Sequence, residues 1–506
     1  MSVQSDPALS HQFEQSSTSS NFRWPEWIAI VFFAGIVAYA IPFHEPWADE
    51  AQAWQLARNL SLWDLLAHHV RYEGSPGFWH LFLWILIRCH ITYAVLPWIC
   101  GAIAVLSTSI LVLKSPLPRG LKLTLPFTNF LLYQYAVIAR SYVFAPLMLF
   151  LIAFCWNGNP LLVATLLGIL ANLSLHTAII AGGLAVVFCF EWLRRWGSLS
   201  GFGRSKLISA FAIIAAFFAF SIWSAWPPAD LLLSRVRGTA RPFFAEAAQS
   251  LILGIPWPWI LPLLIWAGVF VCLSSRRRLY YLLPVVLFAA FSGAVHCEWW
   301  HIGLLVPLLI SILWITWPRA LALPSLAPQS VPEKFGYLAV TLMVTVQIVS
   351  SVYAIAYDHS HAYSPDLATA QFLSPIIRNG AQVAVTHLGN EHETHDYHAV
   401  GILPYFDHNI YLNQPQAFWW WSEKNPTEQL FVPTLATRPK IVIVEARHLN
   451  LVQHLDPNDP KVALLRSAGY RYTNLFCGEM PISIVHGVSD CHLIFQYQNT
   501  DTAKTR

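Results

Sequence analysis

His44-Glu45-Pro46-Trp47-Ala48-Asp49-Glu50-Ala51-Gln52-Ala53-Trp54 sets two adjacent carboxylates directly after the first long apolar run of the chain. Charged side chains at a bilayer boundary do not help insertion, so an acidic pair fixed where a membrane helix emerges is a functional candidate. A second reading stands beside the first: Asp49 and Glu50 cap the start of an amphipathic helix, a task Asp performs well.

The bilayer itself is inferred from composition. Of 506 residues, 56% are hydrophobic and only 11% charged, with 23 Trp and 31 Phe. That balance belongs to a polytopic α-helical membrane protein and excludes a soluble enzyme. The net charge of +3 comes from short basic clusters dispersed between apolar runs, so no nucleic-acid partner is expected. A polar, Ser/Gln-rich stretch over 1–26 has no small-residue cleavage site after it, which predicts a disordered cytoplasmic tail and an uncleaved first helix.

Runs near the ~20 apolar residues that a spanning helix needs fall at 27–43, 94–113, 121–138, 142–157, 160–175, 177–193, 207–224, 257–273, 279–295, 302–317 and 335–356. They predict about eleven spanning helices within a domain over 27–357, with a first outer loop over 44–93. The segment 77–87 is short, follows the polar Arg71-Tyr72-Glu73-Gly74-Ser75-Pro76 and carries Trp and His. It predicts an interfacial helix. The Pro-rich stretch 317–332 reads as a cytoplasmic connector before the final helix.

Lys and Arg concentrate in cytoplasmic loops, and a cytoplasmic N-terminus satisfies that rule. The inner loops then hold Lys114, Arg119 and Lys122, then Arg194, Arg195, Arg204 and Lys206, then Arg276, Arg277 and Arg278, while the outer loops hold fewer basic residues over more chain. Asp49, Glu50, Arg71, Glu73, Arg140, His176, Arg241, His296, Glu298 and His301 all fall at or beyond the outer helix ends. An outer cavity of acids, His and Arg suits a substrate with a lipid tail and an anionic head group, since Arg grips phosphate and a carboxylate orients or activates an acceptor. The sequence has no Gly-rich nucleotide loop, no Gly-x-Ser-x-Gly elbow and no His-Glu-x-x-His motif, which counts against ATP-driven transport and ordinary hydrolysis.

In layout the first 320 residues or so resemble the GT-C membrane glycosyltransferases. The likeness rests on Asp49-Glu50 after the first helix, Tyr72-Glu73-Gly74-Ser75-Pro76 leading into a Trp-rich segment, Tyr135-Ala136-Val137-Ile138-Ala139-Arg140-Ser141-Tyr142 at an outer boundary, and His296 to His301 before a late helix. The pattern is most similar to bacterial relatives of protein O-mannosyltransferases and of the lipid A aminoarabinose transferase. The resemblance implies transfer of a sugar from a polyprenyl-phosphate donor to a glycan, lipid or protein acceptor at the outer face of a bacterial inner (plasma) membrane, with inversion at the anomeric carbon. It implies that Asp49 acts as base or acceptor-orienting carboxylate and that Glu50 supports it. Substrate contacts are expected from Arg71, Tyr72, Glu73, Arg140, Tyr142, His176, Arg241, His296, Glu298 and His301. One departure is Ser75-Pro76, where family members often write His-Pro. No cofactor is required by the motifs, and branches of the family differ over a divalent metal.

Each residue has a plainer reading too. Arg140 can snorkel to the interface, His176 can be a satisfied structural histidine, and His296-Cys297-Glu298-Trp299-Trp300-His301 can be an aromatic anchor, a head-group contact or a metal site. A transporter or flippase of a lipid-linked glycan is the competing function, though it calls for ionisable groups near mid-membrane. A non-catalytic envelope-assembly protein accounts for the polar tail but not for the acidic pair.

After the last run, the composition of 358–506 predicts a separate periplasmic α/β domain. Strand-like runs at 382–385 and 440–444 alternate with helical patterns at 366–377 and 461–468. His392, His395 and His398 offer nitrogen ligands at intervals of three, with a solvated loop as the favoured reading. Cys477 and Cys491 share the oxidising side, which predicts a disulfide.

Overall fold

The computed structural model describes residues 23–231, 242–255, 259–295, 297–317, 331–388, 399–415, 426–447, 459–481 and 487–498. The helical part comprises α1 (Trp24–Ala40), α2 (Ala48–Asn59), α3 (Phe78–Arg88), α4 (Leu96–Lys114), α5 (Phe144–Cys155), α6 (Pro160–Ala171), α7 (Leu175–Arg194) and α8 (Gly201–Ala225). It continues through α9 (Phe243–Ser250), α10 (Ile260–Ser275), α11 (Leu283–Ala294), α12 (Trp299–Ile302), α13 (Leu305–Thr316) and α14 (Val331–Ser360). Proline stands in the first turns of α1, α4, α6 and α11, where its missing N–H costs no helical hydrogen bond. Ser174 and Thr177 bond reciprocally across the start of α7.

Five helices are long and apolar enough to cross a membrane: Tyr93–Lys114, Leu175–Arg194, Gly201–Ala225, Trp299–Thr316 and Lys334–Ser360. Six shorter apolar helices accompany them, at Trp24–Ala40, Phe78–Arg88, Ser141–Cys155, Pro160–Ala171, Ile260–Ser275 and Leu279–Ala294. The eleven full-length spans expected from the sequence are therefore not all present as such. Every predicted run except 121–138 coincides with one of these helices.

The run 121–138 is apolar but not a helix. A short helix at Arg119–Thr124 gives way to a 3-10 turn at Leu125–Phe127 and a π turn at Phe130–Gln134. Pro126 withdraws a backbone donor, which interrupts the α ladder. Arg119 pairs with Glu26 at the start of α1 at 2.9 Å, and Arg140 pairs with Asp49 beyond its end at 2.8 Å. The segment thus runs the length of α1 without forming one continuous α-helix. Phe130 to Ala139 are all buried, so surrounding protein shelters this irregular backbone.

The basic loops share one end of the bundle with two acids. Glu26 takes Arg119 and Lys122, while Glu191 accepts from Arg278, Trp156, Tyr280 and Tyr281 at 2.7–3.0 Å. Residues 318–330 of the expected connector lie outside the described residues.

The C-terminal part opens with α15 (Asp366–Arg378) and contains β1 (Val383–His387), α16 (Thr427–Leu435), β2 (Ile441–Arg447), α17 (Pro460–Ser467), β3 (Tyr470–Pro481) and β4 (Gly487–Tyr497). The sheet order is β1-β2-β4-β3, with β1 and β2 parallel and the other pairs antiparallel. Ala384, Val442, Val444, Leu493 and Phe495 pack against α16 and α17, whereas Val383, Val385, Ile441, Ile443 and Ile494 join the core of the helical part. Burial on both faces is why β1 and β2 read as unbroken apolar runs. Cys477 and Cys491 face each other across β3 and β4 and form a disulfide.

The two parts share one core, and polar contacts close the seam. Arg58 of α2 donates to the carbonyl of Phe406 at 2.6 Å, and Ser364 Oγ donates to the carbonyl of Pro46 at 3.0 Å. The sheet domain therefore covers the first-loop helix that carries Asp49 and Glu50.

Candidate functional site

The acidic pair divides into two roles. Trp47 leaves the extended link after α1 and its N–H donates to Glu50 Oε2 at 3.1 Å, so Glu50 caps α2 from the third helical position. Its other oxygen accepts the N–H of Ala139 at 2.6 Å, and His44 Nε2 lies 3.2 Å from Oε2. Glu50 is 1% exposed. It is a positioning residue that fastens α2 to the irregular segment, and the capping reading holds for it.

His44 extends that fastening to α14. Its Nδ1 is 3.3 Å from Asp358 Oδ2, so one buried imidazole stands between two buried carboxylates. Burial alone lowers the pKa of His44, but Asp358 and Glu50 outweigh burial and raise it from 6.5 to about 10. A raised folded-state value means that this stabilisation is present in full below about pH 6.5 and is lost as pH rises through about 10. His44→Ala leaves two buried acids without their cation and is expected to cost about 3–5 kcal/mol. Thermal unfolding of the detergent-solubilised protein checks both statements: the variant unfolds well below wild type at pH 7, and wild type weakens toward pH 10.

Asp49 lies one residue away with a different environment. It is 21% exposed in its side chain and holds Arg140 at 2.8 Å. The Arg140 guanidinium carbon is 4.7 Å from the Trp300 ring centre, 5.2 Å from Tyr142 and 5.6 Å from Trp47. Three ring faces from three separated segments therefore fix this cation beside Asp49, each contact contributing about 0.5–2 kcal/mol. Snorkelling does not describe a guanidinium enclosed in this way.

Behind the pair sits Glu73, largely buried, with Oε2 3.8 Å from His80 Nε2. Burial and the nearby Asp49 charge raise Glu73 from 4.5 to about 8, with Arg140 pulling the other way. Burial lowers His80 to about 4. At neutral pH both groups are thus mainly neutral, and Glu73 holds a proton beside the Asp49–Arg140 pair. No family model matches the chain, and no curated protein proves similar to it, so the chemistry has to be read from these residues.

The other expected residues fall as follows. Tyr72 donates to the Asp230 carboxylate, 2.8 and 2.9 Å from its two oxygens, which ties the segment before α3 to the turn beyond α8. Arg71 is half-buried, and its Nε has no hydrogen-bond partner among the described residues. Tyr142 is buried between Arg140, Tyr135 and His301. His176 stacks on His301 with ring centres 3.7 Å apart and planes 14° from parallel, which puts it beside Tyr142 and Arg140 by way of His301. Glu298 precedes α12, and its N–H donates to His301 Nδ1 at 3.0 Å. Arg241, His296, His392, His395 and His398 lie outside the described residues.

Sequence reading passed over His44, His80 and Asp358. Each carried a signal: a His or Asp in or beside an apolar helix is expensive, and the expense marks a partner.

Proposed function

We propose that this chain is an inverting membrane glycosyltransferase of the GT-C kind. It takes a sugar from a polyprenyl-phosphate donor and passes it to a glycan, lipid or protein acceptor at the outer face of a bacterial inner membrane. The observation that supports this reading most is the Asp49–Arg140 pair at 2.8 Å, about one-fifth exposed on each side chain and bordered by three rings around the guanidinium. A donor phosphate competes for the guanidinium, which matches phosphate and carboxylate alike. Asp49, released, takes the proton of the acceptor hydroxyl. The acceptor oxygen bonds to the anomeric carbon as the bond from that carbon to the phosphate oxygen breaks. The electron pair leaves with the phosphate, where Arg140 holds it. A single displacement of this kind inverts the anomeric centre.

Under this reading the basic end of the bundle is cytoplasmic by the positive-inside rule. The shorter apolar helices other than α3 also cross, α3 lies along the interface, and the sheet domain covers the site from the periplasm. Incubating the purified protein with a panel of polyprenyl-phosphate sugars and native membrane extract, followed by mass spectrometry, tests the function. A sugar-sized mass gain on an acceptor is expected. Movement of intact donor across the bilayer without any such gain sinks the proposal and favours a flippase.

Glu73 supplies a pH signature. Its proton supports the departing phosphate, so transfer falls as pH rises through about 8. Glu73→Gln keeps a neutral hydrogen-bonding group there and is expected to remove that alkaline limb from the pH profile of transfer. An unchanged limb in the variant assigns the titration to another group.

A further inference from the structure

We propose that His176, Cys297 and His301 form a binding site for one divalent thiophilic ion of the zinc class. The three residues each present one ligand atom, and those atoms all lie within 4.8 Å of one another. His176 comes from the first turn of α7, while Cys297 and His301 flank the start of α12 at a spacing of four. The site therefore joins two parts of the chain far apart in sequence.

Donor chemistry selects the ion. One thiolate and two imidazoles suit zinc, which takes Cys sulfur at ~2.3 Å and His nitrogen at ~2.0–2.1 Å. Magnesium and calcium take oxygen ligands and are poorly served here. In a tetrahedral zinc site two such ligand atoms stand roughly 3.3–3.6 Å apart, so atoms as far as 4.8 Å apart close by up to about 1–1.5 Å, and the stacked His176 and His301 rings turn out of parallel to reach one ion. His176 and Cys297 are buried, and His301 is half-buried. Three protein ligands leave a fourth position for water or a substrate oxygen, the arrangement of catalytic and not of closed structural zinc sites.

Binding has a defined balance. The Cys297 S–H bond breaks as the sulfur–metal bond forms, and one proton leaves to solvent. His301 Nδ1 now accepts the Glu298 N–H at 3.0 Å. Ligation at Nδ1 replaces that bond, and ligation at Nε2 moves the ring proton to Nδ1 and also ends it. The bonds from Glu298 N–H to His301 Nδ1 and from Cys297 S–H to the Glu298 carbonyl are given up against three metal–ligand bonds. The ion lies one layer behind Arg140, because Tyr142 contacts both His301 and Arg140. A second positive charge there reinforces an anion-binding mouth, yet the site itself stands independently of sugar transfer.

The test uses purified full-length protein in detergent, stripped with EDTA and titrated with cobalt(II). Expected are one equivalent bound, visible bands of four-coordinate cobalt and a near-ultraviolet thiolate-to-cobalt band, all displaced by zinc. Cys297→Ser abolishes the thiolate band, and His176→Ala weakens binding by roughly tenfold or more. No thiolate band in wild type, or a band that persists in Cys297→Ser, overturns the proposal. Zinc K-edge absorption on the wild-type protein guards against a misfolded variant. A shell with one sulfur at ~2.3 Å and two nitrogens is expected, and a shell of only nitrogen and oxygen refutes the site. Because no sugar donor is present in either experiment, this result and the transferase result fail separately.

Discussion

Asp49→Asn is expected to lower turnover in sugar transfer by roughly 100- to 10,000-fold, the contribution of a positioned general base. Asn keeps the size of the side chain and loses the carboxylate, so the acceptor hydroxyl has nowhere to send its proton. Donor binding should move the other way. In the resting protein Asp49 occupies Arg140 at 2.8 Å, and a donor phosphate has to displace it. With Asn in place that competition weakens, so the donor concentration for half-saturation stays level or falls while turnover collapses. Steady-state kinetics over donor concentration separates the two effects. A parallel loss of binding and turnover at matched insertion means that Asp49 holds the site together and does not take the proton.

Arg140→Lys is expected to weaken donor binding by about 10- to 100-fold, the ~1.5–3 kcal/mol range of a hydrogen bond to a charged group. Lysine keeps the charge but offers a point cation where arginine offers a planar fork. The fork matters here because Trp300, Tyr142 and Trp47 surround the guanidinium at 4.7–5.6 Å. They hold it flat in one place, and an ammonium loses both the stacking and the bidentate grip. The variant should also show a steeper loss of binding with added salt, since a loosely held exposed cation is screened more readily. Equal donor affinity in Arg140→Lys and wild type removes phosphate recognition from Arg140.

Much of the fold was legible because apolar length is a strong signal. Runs at 94–113, 177–193, 207–224 and 302–317 match helices of spanning length within a few residues. The run at 121–138 shows where that signal stops. Hydropathy reports burial and not backbone geometry, and this segment is buried by surrounding protein, so it reads as a span while folding as turns around Pro126. In the sheet domain, β1 and β2 were visible because both faces are buried. β3 and β4 were not, because residues such as Arg471, Asn474 and Asp490 interrupt their apolar pattern.

The candidate site was legible as a set of residues and not as a division of labour. Asp49 and Glu50 look alike in the chain, yet one faces Arg140 and the other is sealed under Trp47, Ala139 and His44. A helical period places successive residues about 100° apart, which is enough to send neighbours into different environments. His44 and Asp358 sit more than 300 positions apart, and only tertiary contact reveals them as partners. His176 allowed a purely structural reading for the same reason, since its neighbour His301 comes from the far end of the helical part.

The central claim is that Asp49 takes a proton during sugar transfer at a site Arg140 opens to the donor phosphate. The most direct measurement is single-turnover transfer from the best polyprenyl-phosphate sugar by wild type and Asp49→Asn, with both saturated by donor and matched for folding and insertion. The account predicts product with inverted anomeric configuration from wild type and a rate at least about 100-fold lower from the variant. Equal rates from the two proteins, or a product that retains the donor's anomeric configuration, would contradict it.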